Sequence, residues 1–268
     1  MAIDSIVFYI FMFILGSAFG SFACCQAWRI HETKTGKKLG NRSVCMSCNH
    51  KLAWYDNIPV ISWLMLRGKC RYCKAKIGIA EILAEISLGL VFVLIAYKYV
   101  CTVSSVSELF ITASWSFYIA PLILLVAMVV YWILLIYDAK WGELPVLLML
   151  VAIVLAVAYQ FAVHGNLTYI LVATGFLAGI YYLLYFFSKE KLVGGGDWIL
   201  CISVAIFLGR FEFAIVELFL ANFLASLAGI PQIIKKDKKP IPFGPFLIVS
   251  LLAILLTSEQ ILKFLVLY

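Results

Sequence analysis

The sequence predicts an all-α polytopic membrane protein with about eight transmembrane helices and a small zinc-binding cytoplasmic domain between helices 1 and 2. Composition gives the class: 65% of the 268 residues are hydrophobic, 13% are charged, and the mean hydropathy is +1.05. Such values are typical of membrane proteins rather than soluble domains. Apolar runs of spanning length and a lopsided distribution of basic residues supply the other two observations.

The apolar runs recur along the whole chain. They lie at about residues 3–24, 79–97, 116–137, 144–163, 167–187, 198–209, 213–230 and 243–258. We therefore divide the chain into a first transmembrane helix (1–25), a cytoplasmic domain (26–78) and a transmembrane domain (79–268). The sixth run, 198–209, would form only about 18 Å of helix, which is short for a hydrocarbon core of about 30 Å.

The basic residues predict the orientation. Of the 21 lysines and arginines, 11 lie between Arg29 and Lys76. Seven more fall in two later loops and at one helix end: Lys140, Lys189, Lys191, Lys235, Lys236, Lys238 and Lys239. With the N-terminus outside, all of these face the cytoplasm, as the positive-inside rule expects. The net charge of +7 thus indicates membrane topology and contact with anionic lipid, not nucleic-acid binding.

The cytoplasmic domain contains a predicted metal site. Its C-x-x-C pairs are Cys45 with Cys48 and Cys70 with Cys73. Two such pairs form a tetrahedral S4 site typical of structural zinc, with no open position for catalysis. Disulfides or unliganded core cysteines are the alternatives, and a reducing cytoplasm disfavours the former. His50 is a further candidate ligand, although four cysteines suffice.

The segment between the two cysteine pairs is rich in aromatic residues. It contains Trp54, Tyr55 and Trp63 within residues 54–64. These side chains could form the core of the small domain, or they could lie at the membrane interface, where Trp and Tyr are enriched. The sequence leaves both interpretations open.

A glycine run next to an acid marks a candidate functional site. Gly194, Gly195 and Gly196 immediately precede Asp197, between two apolar runs. An ionisable residue at such a place is costly and normally serves a function. Glycines allow the backbone to approach closely and to adopt conformations that other residues avoid. If the short sixth helix begins near Trp198, Asp197 should lie some way below the membrane surface, beside a wet or protein-lined cavity.

Asp138 is the candidate partner of Asp197. It follows the third apolar run, and the predicted topology brings both aspartates out on the cytoplasmic side. Two carboxyl groups held together share a proton, so that one acts as a base toward water while the other donates to a carbonyl oxygen. Separate roles stay open, including a salt bridge between Asp138 and Lys140 or a proton relay.

These motifs together resemble those of the type IV prepilin peptidases, membrane aspartic proteases of the GxGD type. The resemblance rests on Asp138 with Pro145 seven residues later, on the Gly-x-Gly-Asp motif ending at Asp197, and on the four cysteines. Further matching positions run along nearly the whole chain: Gly16, 20–22, Arg29, 42–43, 57–59, 62–64, 66–70, Glu85 and 241–246. The chain departs from the family pattern at Cys24, His31 and Ile199.

The resemblance implies a two-step enzyme of the bacterial inner membrane. The family cuts the leader of prepilins and pseudopilins on the cytoplasmic side, typically at a Gly–Phe junction, and many members then methylate the new N-terminus with S-adenosylmethionine. It implies that Asp138 and Asp197 are catalytic and that the cysteines hold zinc. No glycine-rich nucleotide motif identifies residues that bind the methyl donor. A peptidase without methylation and a non-enzymatic zinc-loop scaffold are the alternatives.

Overall fold

A computed structural model describes residues 2–36, 43–101, 115–188, 194–234 and 241–266. These residues are mostly helical, and within them the only β pairing is two isolated bridges, Val44 with Lys51 and Lys69 with Lys76. The helices are α1 (Ala2–Lys34), a 3₁₀ turn (Trp54–Asn57), α2 (Ile61–Met65), α3 (Ile79–Cys101), α4 (Trp115–Trp141), α5 (Val146–Ala162), α6 (Leu167–Ser188), α7 (Gly195–Leu208), α8 (Phe211–Ile234) and α9 (Gly244–Val266).

The described helices reproduce the predicted spans. Six of them, α1, α3, α4, α6, α8 and α9, are long and apolar enough to cross a membrane, and α5 and α7 are shorter apolar helices. Each coincides with one of the eight predicted runs, so the all-α polytopic class is confirmed. The chain forms two compact units, Met1–Val106 and Ser107–Tyr268. The domain boundaries proposed from the sequence stay a prediction.

In the first unit, α1 packs along α3 through small residues. A Cβ added at Gly20 would lie 2.7 Å from the carbonyl oxygen of Ala84, and one at Gly16 would lie 2.7 Å from that of Leu88. Such contacts are far inside van der Waals distance, so both positions require glycine. Small residues at the contact let apolar helices approach closely, which is how dispersion forces hold helices together in lipid.

The turn before α2 has an unusual backbone that α3 supports. Val60 adopts φ 60° and ψ −51°, and the N–H of Ile61 donates to the carbonyl of Pro59 at 2.5 Å, which defines a γ-turn with positive φ. A β-branched residue rarely adopts this conformation. The N–H of Val60 donates to the Glu85 carboxylate of α3 at 2.7 Å, so a membrane helix holds the turn in place.

The second unit is a helical bundle in which α7 is central. It packs against α5, α6 and α9, while α4 packs against α5 and α9, and α8 packs against α6 and α9. Fully buried apolar side chains from all six helices fill the interior, among them Met128, Ala152, Leu177, Val204, Ala214 and Leu251.

Helix α7 ends inside the bundle, where a glutamine satisfies its last carbonyls. It has 14 residues, about 21 Å of helix, so it cannot cross the bilayer alone. Gly209 ends it in the left-handed conformation, and the buried Gln160 side chain donates to the carbonyls of Ile206 at 2.6 Å and Phe207 at 3.0 Å. Helix ends at membrane depth need such partners, because no lipid group can replace them.

Gln160→Leu is therefore expected to destabilise the bundle by about 1–3 kcal/mol, because two buried carbonyls lose their donor. The measurement is the free energy of unfolding in a detergent titration. Gln260→Leu, at an exposed glutamine of α9, is the matched control. Equal unfolding free energies for the two variants would contradict a capping role of Gln160.

Candidate active site and metal centre

Asp138 lies in the last turn of α4 and is held by the start of α9. Its side chain is only 5% exposed, and its Oδ2 accepts the N–H of Gly244 at 2.9 Å. The helix continues to Trp141, four residues beyond the predicted end, and Gly142 closes it with an N–H to the carbonyl of Asp138 at 2.7 Å. Asp138 is thus part of a rigid helix end rather than of a loop.

Asp197 lies in the first turn of α7. The helix begins at Gly195, three residues earlier than Trp198, because the Asp197 carboxylate accepts the N–H of Gly194 at 2.9 Å and caps the helix. The side chain is 7% exposed. The first turn of a helix favours negative charge, since the positive end of the helix dipole lies there.

Two glycines allow the backbone to come close to the acids. A Cβ at Gly244 would lie 2.7 Å from Oδ2 of Asp138, and a Cβ at Gly196 would lie 2.8 Å from the side chain of Leu144. Gly196 therefore serves close packing against the segment after α4, and Gly244 serves the hydrogen bond to Asp138. Neither glycine has a positive φ, so the close contacts alone explain why a glycine is present.

The structure brings the two predicted aspartates together. Their carboxyl groups are near enough for the charge of Asp197 to act on Asp138. Each uses Oδ2 for a backbone hydrogen bond. Two buried carboxyl groups that interact in this way can divide the roles of base and acid between them. Sequence reasoning did not predict Gly244 as the donor to Asp138, although its signal, a glycine between prolines at the start of an apolar run, was present.

The four cysteines form one cluster. The sulfur atoms of Cys45, Cys48, Cys70 and Cys73 all lie within 4.8 Å of one another, and those of Cys45 and Cys73 are 3.8 Å apart. Tetrahedral zinc with Zn–S bonds of about 2.3 Å requires sulfur atoms about 3.8 Å apart. The donor set therefore fits zinc, and the cysteines are free thiols rather than disulfides. In the described residues, the cluster does not include His50, which stacks on Tyr72.

Both cysteine pairs have the same backbone design. The N–H of Asn49 donates to the carbonyl of Cys45, and the N–H of Lys74 donates to that of Cys70; Asn49 and Lys74 both have positive φ. Burial opposes ionisation of Cys45, but the backbone N–H groups of Cys48 and Ser47 lower the pKa of that thiol to about 7. N–H groups directed at sulfur favour the thiolate, which is the form that binds metal.

The aromatic segment could form the core of the small domain or an apolar surface, and different residues of it do each. Trp54 is 78% exposed, and Leu64 is also exposed. Trp63 packs against Gly68, where an added Cβ would lie 2.8 Å from the indole. One part of the segment thus contributes to the interior of the small domain, and another part presents an apolar surface.

Asp56 links the 3₁₀ turn to the second cysteine pair. The Asp56 side chain is 3% exposed and accepts hydrogen bonds from Nε of Arg71 at 2.7 Å, the N–H of Ala53 at 3.2 Å and the hydroxyl of Tyr72 at 3.1 Å. Burial opposes the charged form, but these donors lower the pKa of Asp56 below its usual value. Sequence reasoning missed this residue.

Asp56→Asn is expected to destabilise the small domain by about 1–2 kcal/mol at neutral pH. The value is kept low because Arg71 is half-exposed, and solvent weakens its ion pair with Asp56. A lowered folded-state pKa gives stability that is present above the unfolded pKa and lost as pH falls through the folded pKa. The difference in unfolding midpoint between wild type and variant should therefore shrink on acidification. Glu259→Gln, at an exposed carboxylate, is the control. A difference that is constant with pH would contradict the assignment.

Comparison with known proteins decides the family. Residues 14–99 match the family model described as "Bacterial Peptidase A24 N-terminal domain". A "Prepilin leader peptidase/N-methyltransferase" of Aeromonas hydrophila is 30% identical over 225 residues, which cover 83% of this chain and 73% of that protein. The chain belongs to the prepilin leader peptidase/N-methyltransferase family. The resemblance drawn from the sequence motifs is confirmed.

Other members of the prepilin leader peptidase/N-methyltransferase family show the same relation. The protein of that name from Vibrio cholerae is 28% identical over 216 residues, which cover 78% of this chain and 79% of the relative. The one from Myxococcus xanthus is 32% identical over 124 residues, 46% of this chain and 32% of the relative. No solved structure matches the chain.

Proposed function

We propose that this protein is an inner-membrane aspartic endopeptidase that removes the leader of prepilins or pseudopilins at a Gly–Phe junction on the cytoplasmic side. We further propose that it methylates the new N-terminal residue with S-adenosylmethionine. One observation carries the peptidase proposal: two buried aspartates, from the end of α4 and the start of α7, lie near enough to interact electrostatically, and each is held by a backbone N–H.

The pair acts as one catalytic unit. The ionised carboxyl takes a proton from water as that water attacks the scissile carbonyl, and the protonated carboxyl donates to the carbonyl oxygen, which becomes a hydroxyl of the tetrahedral gem-diol. The proton held by the base then passes to the leaving amine, and the second carboxyl regains its proton when the carbonyl reforms. The hydrogen bonds from Gly194 and Gly244 fix one oxygen of each aspartate, so reorganisation during the reaction is small.

Charge distribution supports the cytoplasmic side. Lys140 follows Asp138 by two residues, and Lys189 and Lys191 precede Asp197 by eight and six residues in the sequence. Basic residues at helix ends favour the cytoplasmic face, where anionic lipid and the insertion machinery retain them.

Zinc would be held by the four cysteines and would supply folding energy to the small domain. Four thiolate ligands complete the tetrahedral shell, which leaves no position for a water or a carbonyl oxygen. Peptide hydrolysis is accordingly assigned to the aspartates. S-adenosylmethionine supplies the methyl group for the second step.

The test of cleavage uses the purified protein in detergent and a prepilin with a Gly–Phe junction. Release of the leader is the expected result, detected as a mass decrease of the pilin. No cleavage by a correctly folded preparation would overturn the peptidase proposal and favour the scaffold alternative.

Methylation is tested on the same product. With S-adenosylmethionine present, the mass of the cleaved pilin should increase by one methyl group at its N-terminus. An unchanged N-terminal mass under conditions of full cleavage would show that the protein is a peptidase only.

A further inference from the structure

A third acid lies in the interior of the unit Ser107–Tyr268. Glu217 occupies the second turn of α8, and its side chain is 0% exposed. A carboxylate buried in an apolar bundle without a cation is strongly unfavourable, so such a group is either paired or neutral. In the described part of the chain, Oε2 of Glu217 has no hydrogen-bond partner, and no cation forms an ion pair with this side chain.

The contacts of Ser250 indicate that the carboxyl group of Glu217 is protonated. Its Oγ lies 2.6 Å from Oε1 of Glu217, 2.7 Å from the carbonyl of Phe246 and 3.2 Å from that of Leu247. A hydroxyl has one hydrogen, and a helical serine commonly donates it to the carbonyl four residues before. The short contact with Oε1 is then a hydrogen bond only if Glu217 carries a proton and donates it to Ser250.

Within the described residues, the titratable groups that interact with Glu217 from other helices carry no positive charge. They are Tyr131 of α4, Tyr181 of α6 and Cys201 of α7. Two phenols and a thiol cannot balance an anion as a lysine or arginine would. The surroundings therefore favour the neutral form of Glu217. This agrees with the hydrogen bonds of Ser250, whose single hydroxyl hydrogen is used for a backbone carbonyl.

Glu217 is linked to Asp138 through α9, and it shares two electrostatic neighbours with Asp197. Ser250 lies six residues after Gly244 on α9, and the N–H of Gly244 holds Asp138. Tyr181 and Cys201, which face Glu217, also interact electrostatically with Asp197. The contact between Glu217 and Ser250 thus involves α9, the helix whose first residue donates to Asp138.

We propose that Glu217 is a positioning residue of the peptidase site: as a neutral acid it donates a hydrogen bond to Ser250 and holds α9 so that the Gly244 N–H stays on Asp138. This inference rests on the proposed peptidase function. Glu217 does not touch the substrate, so its loss should affect turnover rather than substrate binding.

The kinetic test compares Glu217→Met, Glu217→Gln and Ser250→Ala. We expect Glu217→Met to lower kcat by about 10- to 100-fold with KM unchanged, because misplaced catalytic groups cost this much. Glu217→Gln should restore most of the lost kcat, because its amide N–H can donate to Ser250 as the acid does. The double variant Glu217→Met with Ser250→Ala should be no slower than the slower single variant. Glu212→Met, at the half-exposed start of the same helix, is the control.

A spectroscopic test does not depend on cleavage. The infrared difference spectrum of wild type minus Glu217→Gln at neutral pH should show the carbonyl band of a protonated carboxylic acid. A carboxylate band in its place would overturn the proposal. So would wild-type kcat in Glu217→Met, or a kcat in Glu217→Gln as low as in Glu217→Met.

Two further outcomes separate this inference from the proposed function. If wild type does not cleave prepilin, the peptidase proposal fails, and the infrared spectrum alone decides the protonation of Glu217. If wild type cleaves and all three variants match it, the positioning role fails while the peptidase proposal stands. Should Glu217→Met not fold, as judged by gel filtration and thermal unfolding, equal kcat for Ser250→Ala and wild type overturns the positioning role.

Discussion

Asp138→Asn and Asp197→Asn are each expected to lower leader cleavage by at least about 100- to 10,000-fold, the usual contribution of acid–base groups. An amide cannot take a proton from water, and it cannot share one with a neighbouring carboxylate. Both carboxyl groups are nearly fully buried and lie near enough to interact electrostatically, so each variant removes one member of the proposed catalytic pair. The backbone hydrogen bond to each side chain can persist through the amide oxygen, so the fold should be retained.

The measurement is the initial rate of leader release from a Gly–Phe prepilin in detergent. Because the two aspartates act as a unit, the double variant should be no slower than either single variant. Glu259→Gln, the same type of change at an exposed site of α9, should keep full activity. If both single variants release the leader at the wild-type rate, the aspartic mechanism is wrong.

Cys70→Ser is expected to unfold the small domain between α1 and α3. Cys70 is the buried member of the sulfur cluster, so its loss removes a ligand that solvent cannot replace. Structural zinc contributes on the order of 10 kcal/mol to domains of this kind, comparable with the entire stability of a small domain. Two short helical turns and two isolated bridges provide little other support.

The variant should lose bound zinc in elemental analysis and become sensitive to protease within the loop. Cys25→Ser, at a cysteine of α1 outside the cluster, should keep both the metal and the resistance. Chelation of wild type should have the same effect as Cys70→Ser. Cleavage that stops on chelation while the loop remains folded would instead indicate a direct role of zinc in hydrolysis.

Much of the fold could be predicted from the sequence because its signals are local. Spanning helices require long uninterrupted apolar runs, and all eight runs proved to be helices. The cysteine cluster could be predicted because a C-x-x-C pair presents two thiols from one turn, whatever surrounds it. The short sixth run likewise predicted a helix too short to cross the bilayer, and α7 has only 14 residues.

Helix boundaries were less certain, because capping depends on side-chain conformation. The glycines before Asp197 suggested a loop, yet the helix begins at Gly195 because the aspartate bonds back to Gly194. Hydropathy also ended the third helix at residue 137, whereas α4 continues through Asp138 to Trp141. Both differences place the acids on rigid helix ends, which suits a catalytic pair better than a loop does.

By itself the sequence predicted the membrane class, the eight apolar helices and the two C-x-x-C pairs, since each depends on neighbours a few residues apart, and it identified Asp138 and Asp197 as candidate acids. Only the tertiary structure decided which groups hold those acids and satisfy the buried polar atoms. Gly244 meets Asp138 across 106 residues, Gln160 caps α7 across 46 or more, and Glu217 meets Ser250 across 33. In a bilayer interior every such group needs a protein partner, and the packing of distant helices selects it.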